Sequence, residues 1–169
     1  MQATMHNTVQ ATLPAQAAGA PTFAATATTA LRGHFVLLRA GELRLLLPQA
    51  EVGAAGYLET RPLHDNTGQL RDAAGRPYAA LSEQMSLLPE CPPNRFIFAA
   101  LGDGSDPTGW CWDELKVMIS VDLQAHSLPA ALLTPRTPVG AYVELPGGPA
   151  FVCGAAALVR FVRGEGVQP

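Results

Sequence analysis

Side chains of a type that does chemistry are few in this chain, and the first group to weigh is Gly102-Asp103-Gly104-Ser105-Asp106. A calcium loop sets oxygen ligands at alternating positions and closes the shell with a bidentate Glu. No Glu stands at that offset; the next carboxylates are Asp113 and Glu114, inside a run with strand character. The segment therefore reads as a turn that uses Gly and Asp for their backbone tolerance. It is not a phosphate loop, because the Gly-Lys-Ser/Thr ending is missing.

The histidines His6, His34, His64 and His126 are scattered, and none has metal-ligand spacing to another His or Cys. His64-Asp65 has the composition of a general base with its orienting carboxylate. No Ser or Cys stands in a nucleophile-elbow setting such as Gly-x-Ser-x-Gly, so His64 reads as a solvated loop residue. Asp113 and Glu114 are adjacent, and on a strand neighbours point to opposite faces. They cannot act as a carboxylate pair; one is expected to face solvent and the other to meet an Arg. Cys91, Cys111 and Cys153 are odd in number and lack a Cys-x-x-Cys spacing, so neither zinc nor a disulfide framework is expected. Trp110 and Trp112 share one face of an expected strand, with Cys111 on the other. Core filling is expected for at least one Trp, an exposed aromatic platform being the alternative; Cys111 reads as a small buried hydrophobe. No catalytic residue, metal ligand or cofactor-binding residue is assigned, and no enzymatic activity is expected.

Bulk properties narrow the partners. The chain has 169 residues, enough for one domain or two small halves, and 48% of them are hydrophobic. Only 15% are charged, the net charge is −3, and Lys116 is the single lysine. Nucleic-acid binding needs clustered Lys and Arg to displace counterions from phosphate, so it is not expected. No apolar run reaches the roughly 20 residues of a membrane span. The first Lys or Arg is Arg32, which leaves no basic region for a signal or transit peptide. A reduced, cytoplasmic protein is expected.

The elements that would position these residues are mostly short strands. Residues 1–32 are rich in Ala and Thr and read as a disordered tail. Residues 33–163 read as the folded domain, with structure starting at His34, and 164–169 as a flexible C-terminus. Residues 34–48 predict a hairpin turning at Ala40-Gly41-Glu42. In its second strand Leu43, Leu45 and Leu47 share a face while Leu46 takes the other, so both sides are expected to be covered. One helical turn within 49–55 and a short strand at 56–59 follow. Residues 60–74 are the most polar stretch and read as a loop; 77–81 resumes the strand pattern, and Ser82 is placed to cap a short helix. A strand is expected at 95–101, a hairpin-type loop at 101–109, one long and bent strand at 109–121, and irregular chain from Leu123 to Pro138. A last hairpin spans 139–153, and 154–162 is either helix or strand. Short strands at this spacing point to a small barrel or a pair of barrels.

The order of these pieces is similar to that of the CheW-like domain, the coupling module of bacterial chemosensory arrays. FVLLRAGELRLLLP (35–48) resembles that family's opening hairpin, with Val52 in the short segment after it. GRPYAALSEQMSLL (75–88) resembles its Gly-x-x-x-Pro-x-x-x-Leu run: Gly75 and Leu81 fit the ends, while Pro77 is displaced. RFIFAAL followed by GWCWDELKVM resembles the strand and glycine-led strand with a Val-Asp-x-Val core, Trp112-Asp113-Glu114-Leu115 standing in its place. VGAYVELPGGPAFVCGAAALV (139–159) resembles the closing hairpin and short helix. The family's Asn-Leu-Arg-Gly turn is altered, since Asp72-Ala73-Ala74 separates Gln69-Leu70-Arg71 from Gly75, and the loop before it is longer. These departures hint at a specialised branch, such as adaptors of type IV pilus (twitching) systems.

The resemblance implies a mainly β fold: two small five-stranded, SH3-like barrels around a shared core, with a few short helices. It implies a non-catalytic scaffold that couples a chemoreceptor to a histidine kinase, in chemotaxis or twitching motility. Its partners would be the kinase and the receptor's cytoplasmic tip, without cofactor or membrane insertion, and it would be recruited from the cytoplasm to membrane-associated arrays. By positional match, partner contacts fall at Val52, Tyr57, Arg71, Gly75, Arg76 and Tyr78. The alternative is a small-ligand-binding or enzymatic β-barrel domain that uses the 60–74 loop.

Overall fold

A computed structural model of the chain describes residues 27–164, and its architecture begins at the hairpin around Gly41. Strands β1 (Thr28–Ala40) and β2 (Leu43–Pro48) pair antiparallel, with Ala40 opposite Leu43. Gly41 takes a φ of 62°, the left-handed backbone that so tight a connection requires. Along β2, Leu43, Leu45 and Leu47 enter one buried cluster and Leu46 enters another. Both faces of the strand are covered, as its unbroken leucine run implies.

A 3-10 turn at Gln49–Glu51 carries the chain out of this hairpin into a second sheet. That sheet contains β3 (Val52–Tyr57), β4 (Leu63–His64), β5 (Leu70–Arg71), β6 (Pro77–Ala80), β7 (Ile97–Leu101) and β8 (Gly109–Trp112), in the order β3-β7-β8-β6-β5-β4. The chain then returns through β9 (Glu114–Ser127), β10 (Val139–Leu145) and β11 (Gly148–Cys153), and ends in α1 (Ala155–Arg163). These strands close a five-stranded barrel in the order β1-β2-β11-β10-β9, with β11 parallel to β2 and the other neighbours antiparallel. The protein is thus mainly β, a closed barrel joined to a six-stranded sheet.

The core has three parts. Phe35, Leu37, Leu46, Ala125, Val143 and Ala150, from all five barrel strands, form one cluster. Leu70, Tyr78, Ala80, Cys91 and Cys111 form another on the sheet. The largest lies between the two units: Val36, Leu38, Leu45 and Leu47 from the barrel meet Ala99, Leu101, Trp110 and Trp112 from the sheet, with Leu158 of α1. Trp110 and Trp112 are both fully buried there, which excludes the aromatic platform. Cys111, on the opposite face, is buried as its spacing implied.

Glu51 ties the helix to this core. Its Oε2 accepts the backbone N–H of Ala155 at 2.6 Å, satisfying one of the free donors of the first turn with a negative charge at the positive end of the helix. At the other end Gly164, with φ 68°, forms a left-handed cap.

Several expectations are corrected. The span 109–121 is not one strand: β8 ends at Trp112, and the chain passes from sheet to barrel at Asp113. Asp113 is turned inward, where its carboxylate accepts hydrogen bonds from Gly41 N and Asn94 Nδ2 and lies 3.4 Å from Arg95 Nε. Glu114 pairs with Arg39 at 3.0 Å, so both neighbours meet an Arg. Residues 123–127 are strand rather than irregular chain, because β1 and β10 both pair with them. Ser82 caps a turn, not a helix: its Oγ accepts from Gln84 N and Ser86 N, and Leu81 bridges Leu87. The span 60–74 contains the small hairpin β4–β5, with Leu63 opposite Arg71. The second unit is a six-stranded sheet whose order does not close, instead of a second five-stranded barrel. Residues 28–32, expected in the tail, form the start of β1 opposite His126–Asp122, and the unresolved choice at 154–162 is a helix. The tail expectation for 1–26 and the flexible terminus at 165–169 lie outside the described residues.

Candidate functional site: an aromatic cleft beside a free strand edge

β3 lies at one end of the sheet order, so its outer edge has no strand neighbour among the described residues. Its sequence, Val52-Gly53-Ala54-Ala55-Gly56-Tyr57, carries no charge and no proline, the two commonest guards on an exposed edge. An irregularity between Val52 and Ala55 in the pairing with β7 is the one device present. At the end of this edge Leu58 N donates to Phe96 O at 2.7 Å, and Tyr57 stands opposite Ile97 of β7. Tyr57 and Phe96 are 79% and 60% exposed, large apolar residues left uncovered at this end of the sheet.

The turn between β5 and β6 forms the opposite wall. Asp72 Oδ1 accepts from Ala74 N and Arg76 N, both at 2.9 Å, and Gly75 adopts φ 80°, where a side chain would be strained. The bond from Arg76 N, above the others, holds the Asp72 carboxyl below its usual range. Tyr78 Oη donates to Asp72 Oδ2 at 3.3 Å; burial, and next the Asp72 charge, raise the phenol pKa. The Tyr78 ring meets Phe98 edge-on at 5.7 Å between centroids, and the Arg76 guanidinium sits 5.9 Å over the Phe98 ring as a cation–π contact. Behind them Gly109, opposite Tyr78 on β8, leaves no room for a Cβ against the Tyr78 ring.

Together these groups bound a cleft of about 270 Å³, lined by Tyr57, Glu59, Thr60, Arg76, Tyr78 and Phe98. Tyr57, Tyr78 and Phe98 give it aromatic walls, with one cation, Arg76, and two carboxylates, Glu59 and Asp72. Such a surface can seat an apolar or aromatic side chain and orient a charged group beside it.

Of the residues predicted to make contacts, the fold brings Tyr57, Arg76 and Tyr78 to this cleft. Arg71 and Gly75 belong to the turn behind it. The Arg71 guanidinium is spent inside the chain, on Asp65 Oδ2 at 2.7 Å, Gly75 O at 2.6 Å and Gln69 Oε1 at 2.6 Å. Val52 stands at the far end of β3, half-buried against the main core, and is not part of the cleft. Sequence reasoning missed Asp72 and Phe98.

His64 is exposed at the rim of a wider, open hollow of about 740 Å³ whose lining includes Leu88, Pro89, Pro107, Arg71 and Arg163. It does not pair with Asp65. That carboxylate accepts from Thr67 Oγ1 at 2.6 Å, Thr67 N at 2.8 Å, Gln69 N at 3.0 Å and Arg71 Nε at 2.7 Å. The Thr67 hydroxyl, above the other partners, holds its pKa far below the usual carboxylate range. The carboxylates of the 102–108 loop are used in the same way: Asp103 accepts from Ser105 N, and Asp106 from Thr108 N and Arg163 Nη2. Among the described residues no group of three or more His, Cys, Asp or Glu gathers to hold a metal, and no helix is long and apolar enough to cross a membrane.

No protein-family model matches the chain, and no curated protein matches it.

Proposed function

We propose that the chain is a non-catalytic adaptor of the CheW-like type, coupling a chemoreceptor to a histidine kinase in chemotaxis or type IV pilus signalling. The observation that carries this reading is the uncharged β3 edge ending in exposed Tyr57, with Arg76 across the cleft. Unguarded edges and exposed aromatic side chains are what partner strands and loops dock against. The core shared by barrel and sheet supports the same reading, because the resemblance implies two units packed around one core. In this reading the kinase's regulatory domain docks on the cleft, and the protein works in the cytoplasm at membrane-associated arrays.

The test is sedimentation or pull-down with the regulatory domain of a chemosensory kinase from the same genome. Binding is expected at micromolar concentration, the range of transient signalling contacts. No association at tens of micromolar would remove the proposal.

The second reading, small-ligand binding at 60–74, has His64 at the rim of the open hollow in its favour. Against it stands the commitment of Asp65 to its own turn. Ligand-induced amide shifts at His64 and Leu88, with none at Tyr57, would decide for it.

A further inference from the structure

The long pairing of β1 with β9 is interrupted between Gly33 and Phe35. Phe35 stands opposite Met118 and Gly33 opposite Val121, so His34 faces both Ile119 and Ser120. This is a β-bulge whose extra residue lies on β9. It shows at Ser120, whose φ of 52° is the left-handed backbone that residues with a side chain rarely adopt. The bulge resets which β9 side chains enter the barrel. Before it Met118 packs on the barrel cluster, and after it Val121, Leu123 and Ala125 do. Side chains on a strand alternate between faces, so that change from even to odd positions needs an inserted residue. Without the bulge, either Met118 or the three residues after it would turn away from the barrel.

His34 holds the bulge in place. Its Nδ1 accepts the Ser120 backbone N–H at 3.1 Å, on the residue that such an insertion takes out of the ladder. The bond guards an arm secured on one side. β2 ends opposite Phe35, so among the described residues 28–33 pair with β9 alone. A ring nitrogen accepts a hydrogen bond only while it carries no proton, and histidine changes charge between about pH 5 and 8. The His34 side chain is exposed, so protons reach it freely. Few charges face it. On the flanking rung Arg32 and Asp122 pair with each other at 2.9 Å. Pro48, Gln49 and Ala50, which line the hollow beside it, are uncharged, and Glu51 is turned to the start of α1. His126 stands at the far end of the arm, opposite Thr28 and against the Tyr142 ring.

We propose that His34 is a proton-operated latch on the 28–33 arm. Neutral, it fixes the bulge and with it the register of the arm. Protonated, its Nδ1 becomes a donor aimed at another donor, the Ser120 N–H, and the bond is lost. The stabilisation is therefore complete above the histidine range and disappears as pH falls through it. The arm then frays from β9, Leu31 leaves the barrel cluster, and Val121 and Leu123 are uncovered.

The test is an NMR titration of the full chain from about pH 8 to about pH 5, across the histidine range. Amide exchange is read as protection factors corrected for the intrinsic rate. The Ser120 amide shift is expected to move with the His34 ring signals at one common midpoint. Protection of the slowly exchanging amides in 28–33 and 121–126 should fall about fivefold, as the loss of one ordinary hydrogen bond implies. His34→Asn, whose side-chain oxygen accepts without titrating, should keep the arm protected throughout. His34→Ala should leave it weakly protected at every pH, and His126→Gln should respond as the wild type does. Protection independent of pH, a Ser120 shift that does not follow His34, or a response kept by His34→Asn or abolished by His126→Gln would overturn the proposal. The wild-type titration decides the matter even where a variant folds poorly.

Discussion

Asp113 is the residue on which most depends. With Arg95 it forms an ion pair whose side chains are 6% and 5% exposed, and it also receives Gly41 N and Asn94 Nδ2. Arg95 Nη1 donates to Leu81 O at 2.6 Å, while its Nε has the carboxylate as a charge partner without an aligned hydrogen bond. Removing one member of a buried pair leaves the other charge uncompensated, which costs about 3–5 kcal/mol. Asp113→Ala should therefore lower the unfolding free energy by that amount in urea titrations; a loss under about 1 kcal/mol would show that water reaches Arg95. Asp65 supports a prediction about pH. Its folded pKa is depressed from 3.8, so its contribution to the 65–71 turn is complete above that value and is lost as pH falls below it. Exchange of the Thr67 and Gln69 amides should speed up over that acid window in the wild type. In Asp65→Asn it should be fast at every pH, and equal protection in the variant would count against this account.

Elements explain why the cleft has its shape. β6 and β8 run parallel with Tyr78 opposite Gly109, and the absent side chain at Gly109 is what lets the Tyr78 ring lie flat and reach Phe98. Gly109→Ala should push Tyr78 out, undo the Asp72 bond and cost about 1–3 kcal/mol by overpacking. Loss of edge-on Tyr78–Phe98 ring contacts in NOE spectra would report the move directly. The β3 edge behaves differently, because Tyr57 packs on little within the chain. Tyr57→Ala should leave the thermal midpoint nearly unchanged yet weaken binding of the proposed kinase partner about tenfold or more, as truncation of an aromatic anchor does. Equal loss of stability and binding would mean that Tyr57 is structural.

At the scale of the molecule, the barrel and sheet are bound by interleaved chain and one shared core. The connections at 49–52 and at Asp113 cross between them, and α1 covers the seam with Leu158 and the Glu51 cap. Unfolding should accordingly be a single cooperative transition, seen alike by tryptophan fluorescence and by far-UV circular dichroism. Two separated transitions would show that the units fold independently. Arg76→Glu, on an exposed side chain, should leave that transition in place while weakening association through charge reversal at the contact. Unchanged affinity would move the docking surface away from the cleft.

Local patterning was enough for much of this. The leucine run of β2, the Gly41 turn, the 139–153 hairpin, the burial of Cys111 and that of at least one of Trp110 and Trp112 follow from side-chain period and turn chemistry, which act over a few residues. Tertiary pairing decided the rest. Whether 123–127 is strand depended on β1 and β10, and whether Ser82 starts a helix depended on the Leu81–Leu87 bridge. The break at Asp113 required Asn94-Arg95 and Gly41 to converge on it from two separate segments. Tyr57, Phe98 and Arg76 likewise become neighbours only when β3, β7 and the β5–β6 turn assemble, and Cys91 and Cys111 enter one buried cluster in the same way. A side chain's chemistry is written in its own type, but the charge, burial and partner that set its role come from residues far along the chain.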